Sequence, residues 1–138
     1  MPKNGWRTHV FTAASPKEKK FEQISFVVPN LIPEGLTIFA GRPKVGKSWW
    51  ALDVALAKAG GRFVLGELHL TEGDVLYAAL EDNDRRLRSR IERILTQNAL
   101  TWPDRLTLAT QWRRLDAGGV DDAKEWAASV KEPPSHHF

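Results

Sequence analysis

The chain has no cysteine, which rules out disulfides, thiolate metal sites and thiol nucleophiles and fits a reducing compartment. Long apolar runs are also missing. No stretch reaches the length of a membrane span, so the expectation is a cytoplasmic protein without a membrane partner. The opening residues, MPKNGWRTHVFTAASPKEKK, lack both the apolar centre of a signal peptide and the sustained amphipathic period of a mitochondrial presequence. Histidine is scarce. His9 and His69 have no partners at ligand spacing, and His136 and His137 lie in a tail expected to be disordered. No internal repeat is present.

What is present is ordinary for one soluble domain. The 138 residues suffice for a single core but not for two. Hydrophobic content of 42% and charged content of 27% exclude disorder along the whole chain. A net charge of +3 and a pI of about 9.4 are compatible with a polyanionic partner, and nucleotide phosphates account for part of that bias. Six tryptophans, at positions 6, 49, 50, 102, 112 and 126, are expected mainly as core or half-buried packing.

One stretch carries chemistry outright. An apolar run over residues 36–40, LTIFA, ends at Gly41, and the next residues are Arg42, Pro43, Lys44, Val45, Gly46, Lys47 and Ser48. This fits G-x-x-x-x-G-K-[ST] in full, after a strand-like segment and before a helix-like one. Glycines at both ends let backbone N–H groups approach phosphate oxygens, and Pro43 stiffens the loop. A helix starting near Lys47 adds its free amides and the positive end of its dipole. Lys47 supplies a charge for the β and γ phosphates, and the Ser48 hydroxyl is placed for Mg²⁺. ATP with Mg²⁺ is the expected ligand, held by residues 41–48 and Trp49.

The remaining pattern alternates strand and helix. Residues 1–20 read as a flexible arm and 21–33, broken by Pro29 and Pro33, as a lead-in packed on the domain. Residues 36–40 read as a strand buried on both faces. A helix over 47–59 carries Trp49, Leu52, Leu56 and Ala59 on one stripe, and Gly60 and Gly61 end it. Residues 62–70 are ambiguous between a short strand and a hairpin arm. A second strand over 75–80 delivers Glu81 and Asp82 at its carboxyl end, and a helix over 83–97 has Leu87, Ile91, Ile94 and Leu95 on its apolar face. Asp82, Asn83 and Asp84 offer the cap, with Asp82 favoured, while Arg85, Arg86, Arg88, Arg90 and Arg93 occupy a polar face read as solvated. A short strand over 106–109 and a helix over 120–130 complete the domain, which spans 21–130, with 131–138 a disordered tail. Such alternation implies a parallel sheet with crossovers.

Glu81 is the second candidate. A carboxylate at the end of a parallel strand, one βα unit after a phosphate loop, sits at the ligand-binding edge of an open α/β sheet. It could orient or deprotonate a water for attack on the γ-phosphate; helix capping alone is the competing account.

The run AGRPKVGKSWWALDVALA, followed by GDVLYAALEDNDRRLRSRI, resembles the RecA-like ATPase domain of plasmid and phage hexameric replicative helicases of the RepA type and their AAA-domain relatives. The resemblance covers residues 26–130. It implies a three-layer α/β P-loop NTPase fold with a mainly parallel sheet, ATP and Mg²⁺ as cofactors, DNA as a partner, and a homo-oligomer, a hexamer in full-length relatives. It also implies phosphate-loop roles for Lys47 and Ser48 and a catalytic-base role for Glu81. Family domains continue into a further strand ending in the Walker B Asp. Here KEPPSHHF follows Val130, so the expected fold is incomplete at its C-terminal side, as in an N-terminal fragment or a chain cut by an early stop or frame change. Reading residues 75–82 themselves as the Walker B strand puts Glu before Asp and comes one strand early. The expected function is ATP binding related to DNA-dependent ATPases and helicases of plasmid or phage replication, with weak or absent hydrolysis by this chain alone. Two alternatives stay open: a non-catalytic nucleotide- or DNA-binding interaction module, and a P-loop small-molecule kinase.

Overall fold

The fold is built on two helices, α1 (Lys47–Gly60) and α2 (Asp84–Gln97), whose apolar stripes meet. The computed structural model describes residues 5–131. Leu52, Leu56 and Ala59 of α1 are buried as their spacing predicts, and Ala55 and Ala57 are buried too, so α1 is covered on two sides. On one side Leu52 and Leu56 pack with Ala79 and with Leu87, Ile91, Ile94 and Leu95 of α2. On the other, Ala57 joins Val28, Val64 and Leu70 in a second cluster.

The second cluster is supplied by two hairpins. Strands β1 (Phe26–Val28) and β2 (Ile32–Pro33) pair antiparallel, as do β3 (Phe63–Val64) and β4 (Leu68–His69), which settles residues 62–70 as a hairpin. Strands β5 (Val75–Ala78) and β6 (Leu106–Ala109) pair parallel, from Val75 against Leu106 to Ala78 against Ala109, with α2 as the crossover. A bidentate ion pair from Arg105 to Asp74, at 3.1 and 2.7 Å, pins the start of this ladder. Helix α3 (Gly119–Lys131) follows a short turn and is tied back by Arg113, which donates twice to Asp122 at 2.6 Å.

Two expectations are corrected. Residues 36–40 form no ladder, and Leu36 and Ile38 are 93% and 83% exposed. An apolar run becomes a buried strand only if neighbours offer an edge. The hairpins pair internally and β5 pairs with β6, so among the described residues no strand flanks this segment. Among the described residues only Phe39 of this run finds an aromatic partner, its ring 4.8 Å from that of Trp50. The α/β class therefore holds, but the described sheet is one parallel pair with two antiparallel hairpins, not mainly parallel. The tryptophans are the second case, and only in part: Trp50, Trp112 and Trp126 are half-buried as expected, whereas Trp6, Trp49 and Trp102 are exposed, and none is a core residue.

The described part of the N-terminal arm carries two short turns, Arg7–His9 and Ser15–Glu18. Residues 1–4 and 132–138, with the tail and its two histidines, lie outside the described residues. Among the described residues no helix is long and apolar enough to cross a membrane.

Candidate nucleotide site

The loop over residues 41–46 is curled by two left-handed residues, Lys44 (φ +64°) and Gly46 (φ +89°). The second is a conformation that favours glycine. A Cβ on Gly41 would lie 3.5 Å from Val45 Cγ2 and 3.6 Å from Lys47 Cδ, at ordinary contact distance from both side chains. Gly46 is also the N-cap of α1 and has no side chain with which to cap it. Trp50 N donates to Gly46 O at 3.0 Å, and the amides that precede it in the first turn remain open to an anion.

Lys47 lies across its own loop. Its Nζ donates to Gly41 O at 2.6 Å and to Arg42 O at 2.7 Å, so a phosphate must draw the ammonium away from two carbonyls. Arg42, Pro43, Lys44, Val45 and Ser48 are exposed. Trp49 departs from the expected buried stripe. Its ring is flanked by the guanidinium carbons of Arg90 and Arg93, at 5.3 and 5.7 Å from its centroid, because α2 brings cations rather than apolar groups to that side.

Ser48 and Glu81 line one cavity of about 360 Å³, together with residues 77–80, Asp82, Arg86 and Arg90. The structure thus brings these two candidates together, while residues 41–47 lie outside the cavity lining. Strand β5 stops at Ala78, the Ala79 N–H still reaches Ala109 O at 2.7 Å, and Asp82 N closes a turn on Ala79 O at 3.2 Å. Leu80 and Glu81 occupy the centre of that turn. Glu81 is exposed and among the described residues has no ion-pair partner.

Asp82 does not cap α2. Asn83 does, its Oδ1 accepting from Arg86 N at 2.9 Å. Asp82 instead accepts from Arg90 Nη1 at 2.9 Å and lies 3.6 Å from Arg86 Nη1. Arg86 and Arg90 therefore wall the cavity, whereas the sequence assigned them to a solvated face. The signal available was the spacing of Arg86 and Arg90, four residues apart, which places both on one side of α2, the side that faces Asp82 just before the cap. Tyr77 Oη donates to Ser48 O at 3.4 Å and ties β5 to the start of α1. Burial, reinforced by the Asp82 charge, pushes the Tyr77 hydroxyl upward, which keeps it a donor.

Among the described residues no group of three or more His, Cys, Asp or Glu side chains could hold a metal unaided. The Ser48 hydroxyl, with Glu81 and Asp82 on the same cavity, fits the other mode, in which Mg²⁺ is held mainly by nucleotide phosphates and water.

A curled glycine loop opening onto an uncapped helix N-terminus, with a lysine across the loop and a carboxylate on the same cavity as the following serine, defines a P-loop nucleotide-binding domain. A family model described as an AAA domain matches residues 7–135, and the chain belongs to that family. Membership brings an ATPase-type, nucleotide-binding function in a family that binds ATP with Mg²⁺. No curated protein and no solved structure matches the chain.

Proposed function

We propose that the chain binds Mg²⁺-ATP through residues 41–48 and Trp49, and that it is a RecA-like domain of the helicase type used in plasmid or phage replication. The observation that carries this reading is the shared cavity: Ser48, on the first turn of α1, and Glu81, in the turn after β5, line the same space. The loop amides and Lys47 hold the phosphates, and the Ser48 hydroxyl takes the metal. When bound, Mg²⁺ neutralises charge on the phosphates. In this reading Glu81 orients or deprotonates a water for attack on the terminal phosphate, and it and Lys47 are the catalytic pair. DNA as partner, and the homo-oligomer, a hexamer, of the full-length family, belong to the same proposal.

Phosphoryl transfer is mostly positioning and charge neutralisation. In this reading the chain binds nucleotide with weak or no turnover by itself. Isothermal titration of the purified chain with Mg²⁺-ATP, alongside a phosphate-release assay, tests both parts. Absence of binding refutes the site, and robust turnover refutes the second statement.

A second reading, a non-catalytic interaction module, is favoured by the exposed apolar residues 36–40. Sedimentation with and without nucleotide tests the module, since a monodisperse monomer in both states counts against it.

A further inference from the structure

Beside the second half of α1, away from the phosphate loop, lies another cavity, of about 280 Å³, that shares no lining residue with the one beside Ser48. Ala57, Phe63, Ile94 and Leu100 give it an apolar wall, and its two ionisable side chains, Asp53 and Arg62, are left incomplete. Arg62 Nη2 donates to Leu56 O at 3.2 Å, whereas Nη1 is buried without a hydrogen-bond partner, the one such side-chain atom among the described residues. Among the same residues Asp53 enters no ion pair. Burial raises the Asp53 carboxyl and lowers the Arg62 guanidinium, each shift only partly offset by the other's charge. Two half-desolvated groups of opposite sign thus share one space without meeting. A single bridging water needs roughly 10–15 Å³ of room, and this space is many times larger.

The β3–β4 hairpin adds strain at the rim. Glu67 N closes a turn on Val64 O at 3.3 Å, and its two central residues, Leu65 (φ +51°) and Gly66 (φ +75°), are both left-handed. Such turns favour Asn, Asp or Gly at the first of these positions. A leucine there is held against its own backbone preference, and it lines the cavity.

We propose that this cavity binds a small, neutral, planar carboxamide or lactam, whose carbonyl oxygen accepts from Arg62 Nη1 and whose N–H donates to an Asp53 carboxyl oxygen. A carboxylate ligand would satisfy Arg62 but bring like charge to Asp53, and a cationic one would satisfy Asp53 but bring like charge to Arg62. An amide offers acceptor and donor together at no net charge. A flat ring bearing it suits the apolar wall of Phe63 and Leu100.

The test is an amide NMR titration of the isotope-labelled full chain with benzamide. Benzoate, benzamidine and N,N-dimethylbenzamide serve as ligands of similar shape that lack the donor, the acceptor and the donor, respectively. At about 5 mM benzamide, shifts are expected at residues 53, 62–66 and 94–100. Each of the other three ligands should bind at least about tenfold more weakly, since each leaves a wall group unpaired. Arg62→Leu and Asp53→Ala should each weaken benzamide about tenfold, while Asp53→Asn, which keeps an acceptor oxygen, should stay within about threefold of wild type. No shifts at these residues, equal binding of the four ligands, or undiminished benzamide binding in either Arg62→Leu or Asp53→Ala overturns the proposal. If Arg62→Leu fails to fold, the ligand series in wild type still decides, because it needs no variant.

Discussion

Lys47→Ala isolates what the phosphate loop contributes. In the free chain the ammonium already makes two short bonds, to Gly41 O at 2.6 Å and Arg42 O at 2.7 Å, both on exposed carbonyls that water can serve as well. Removing it should therefore leave stability within about 0.5 kcal/mol of wild type. For the nucleotide the account differs. Charge-assisted bonds to phosphate are worth roughly 1.5–3 kcal/mol each, and the ammonium surrenders its two carbonyl bonds in exchange. Two bonds gained against two weaker ones lost leave about 2–4 kcal/mol, a 30- to 1000-fold drop in affinity at about 1.4 kcal/mol per decade. The assay is titration of a fluorescent ATP analogue into both proteins, with urea denaturation as the control. If Lys47→Ala binds within threefold of wild type, the loop is not the phosphate site. If it unfolds instead, the two loop bonds carry far more stability than exposed contacts should.

Three further outcomes follow from packing, backbone and charge. Ile91→Ala, at a fully buried position between α1 and β5, should lower unfolding free energy by about 2–5 kcal/mol in urea; a loss under 1 kcal/mol would mean that the α1–α2 interface is loose. Gly46→Ala places a Cβ at φ +89° and should cost about 1–2 kcal/mol of stability while weakening nucleotide binding; unchanged affinity would show that the curl is not needed. The third concerns two aspartates that titrate in opposite directions. Burial, only partly offset by Arg62, raises the Asp53 carboxyl, so its contribution is full below the ordinary carboxylate range and is lost as pH rises through the raised value. The hydrogen bonds from Arg105 lower Asp74, so its contribution is full above that range and is lost as pH falls through the lowered value. Denaturation across pH should show Asp53→Asn more stable than wild type at neutral pH but not in acid, and Asp74→Asn less stable at neutral pH and level in acid.

The helices were legible because their determinants are local. Leu87, Ile91, Ile94 and Leu95 recur at helical spacing, and α2 buries those four. The loop was legible because phosphate chemistry fixes residue types at fixed positions. Residues 36–40 were not, because the same five apolar residues make a strand only where a neighbouring edge exists, and that is a property of the sheet rather than of the segment. Trp49 failed for a related reason: its spacing places it on the α1 stripe, but α2 meets that end of the helix with Arg90 and Arg93. The cap was undecidable locally, since Asp82, Asn83 and Asp84 are all competent. Asn83 takes the role while Arg90, two turns along the helix, holds Asp82 elsewhere.

That diversion of Asp82 assigns opposite tasks to two adjacent carboxylates. Asp82 lies at the closing position of the turn, only 10% exposed, with two arginines around it. Glu81, at the turn's centre, is exposed and unpaired among the described residues, which leaves its oxygens available to a water in the cavity. Asp82→Asn removes the negative partner from two guanidinium groups; after allowance for their partial exposure this should cost about 1–2 kcal/mol. Glu81→Gln removes no partner and should stay within about 0.5 kcal/mol of wild type. It should also leave Mg²⁺-ATP affinity unchanged while eliminating whatever phosphate release the chain shows, because its proposed target is the water rather than the phosphates. If Glu81→Gln proves the more destabilising of the two, the carboxylate facing the cavity is holding the turn together, and the candidate base must be sought elsewhere.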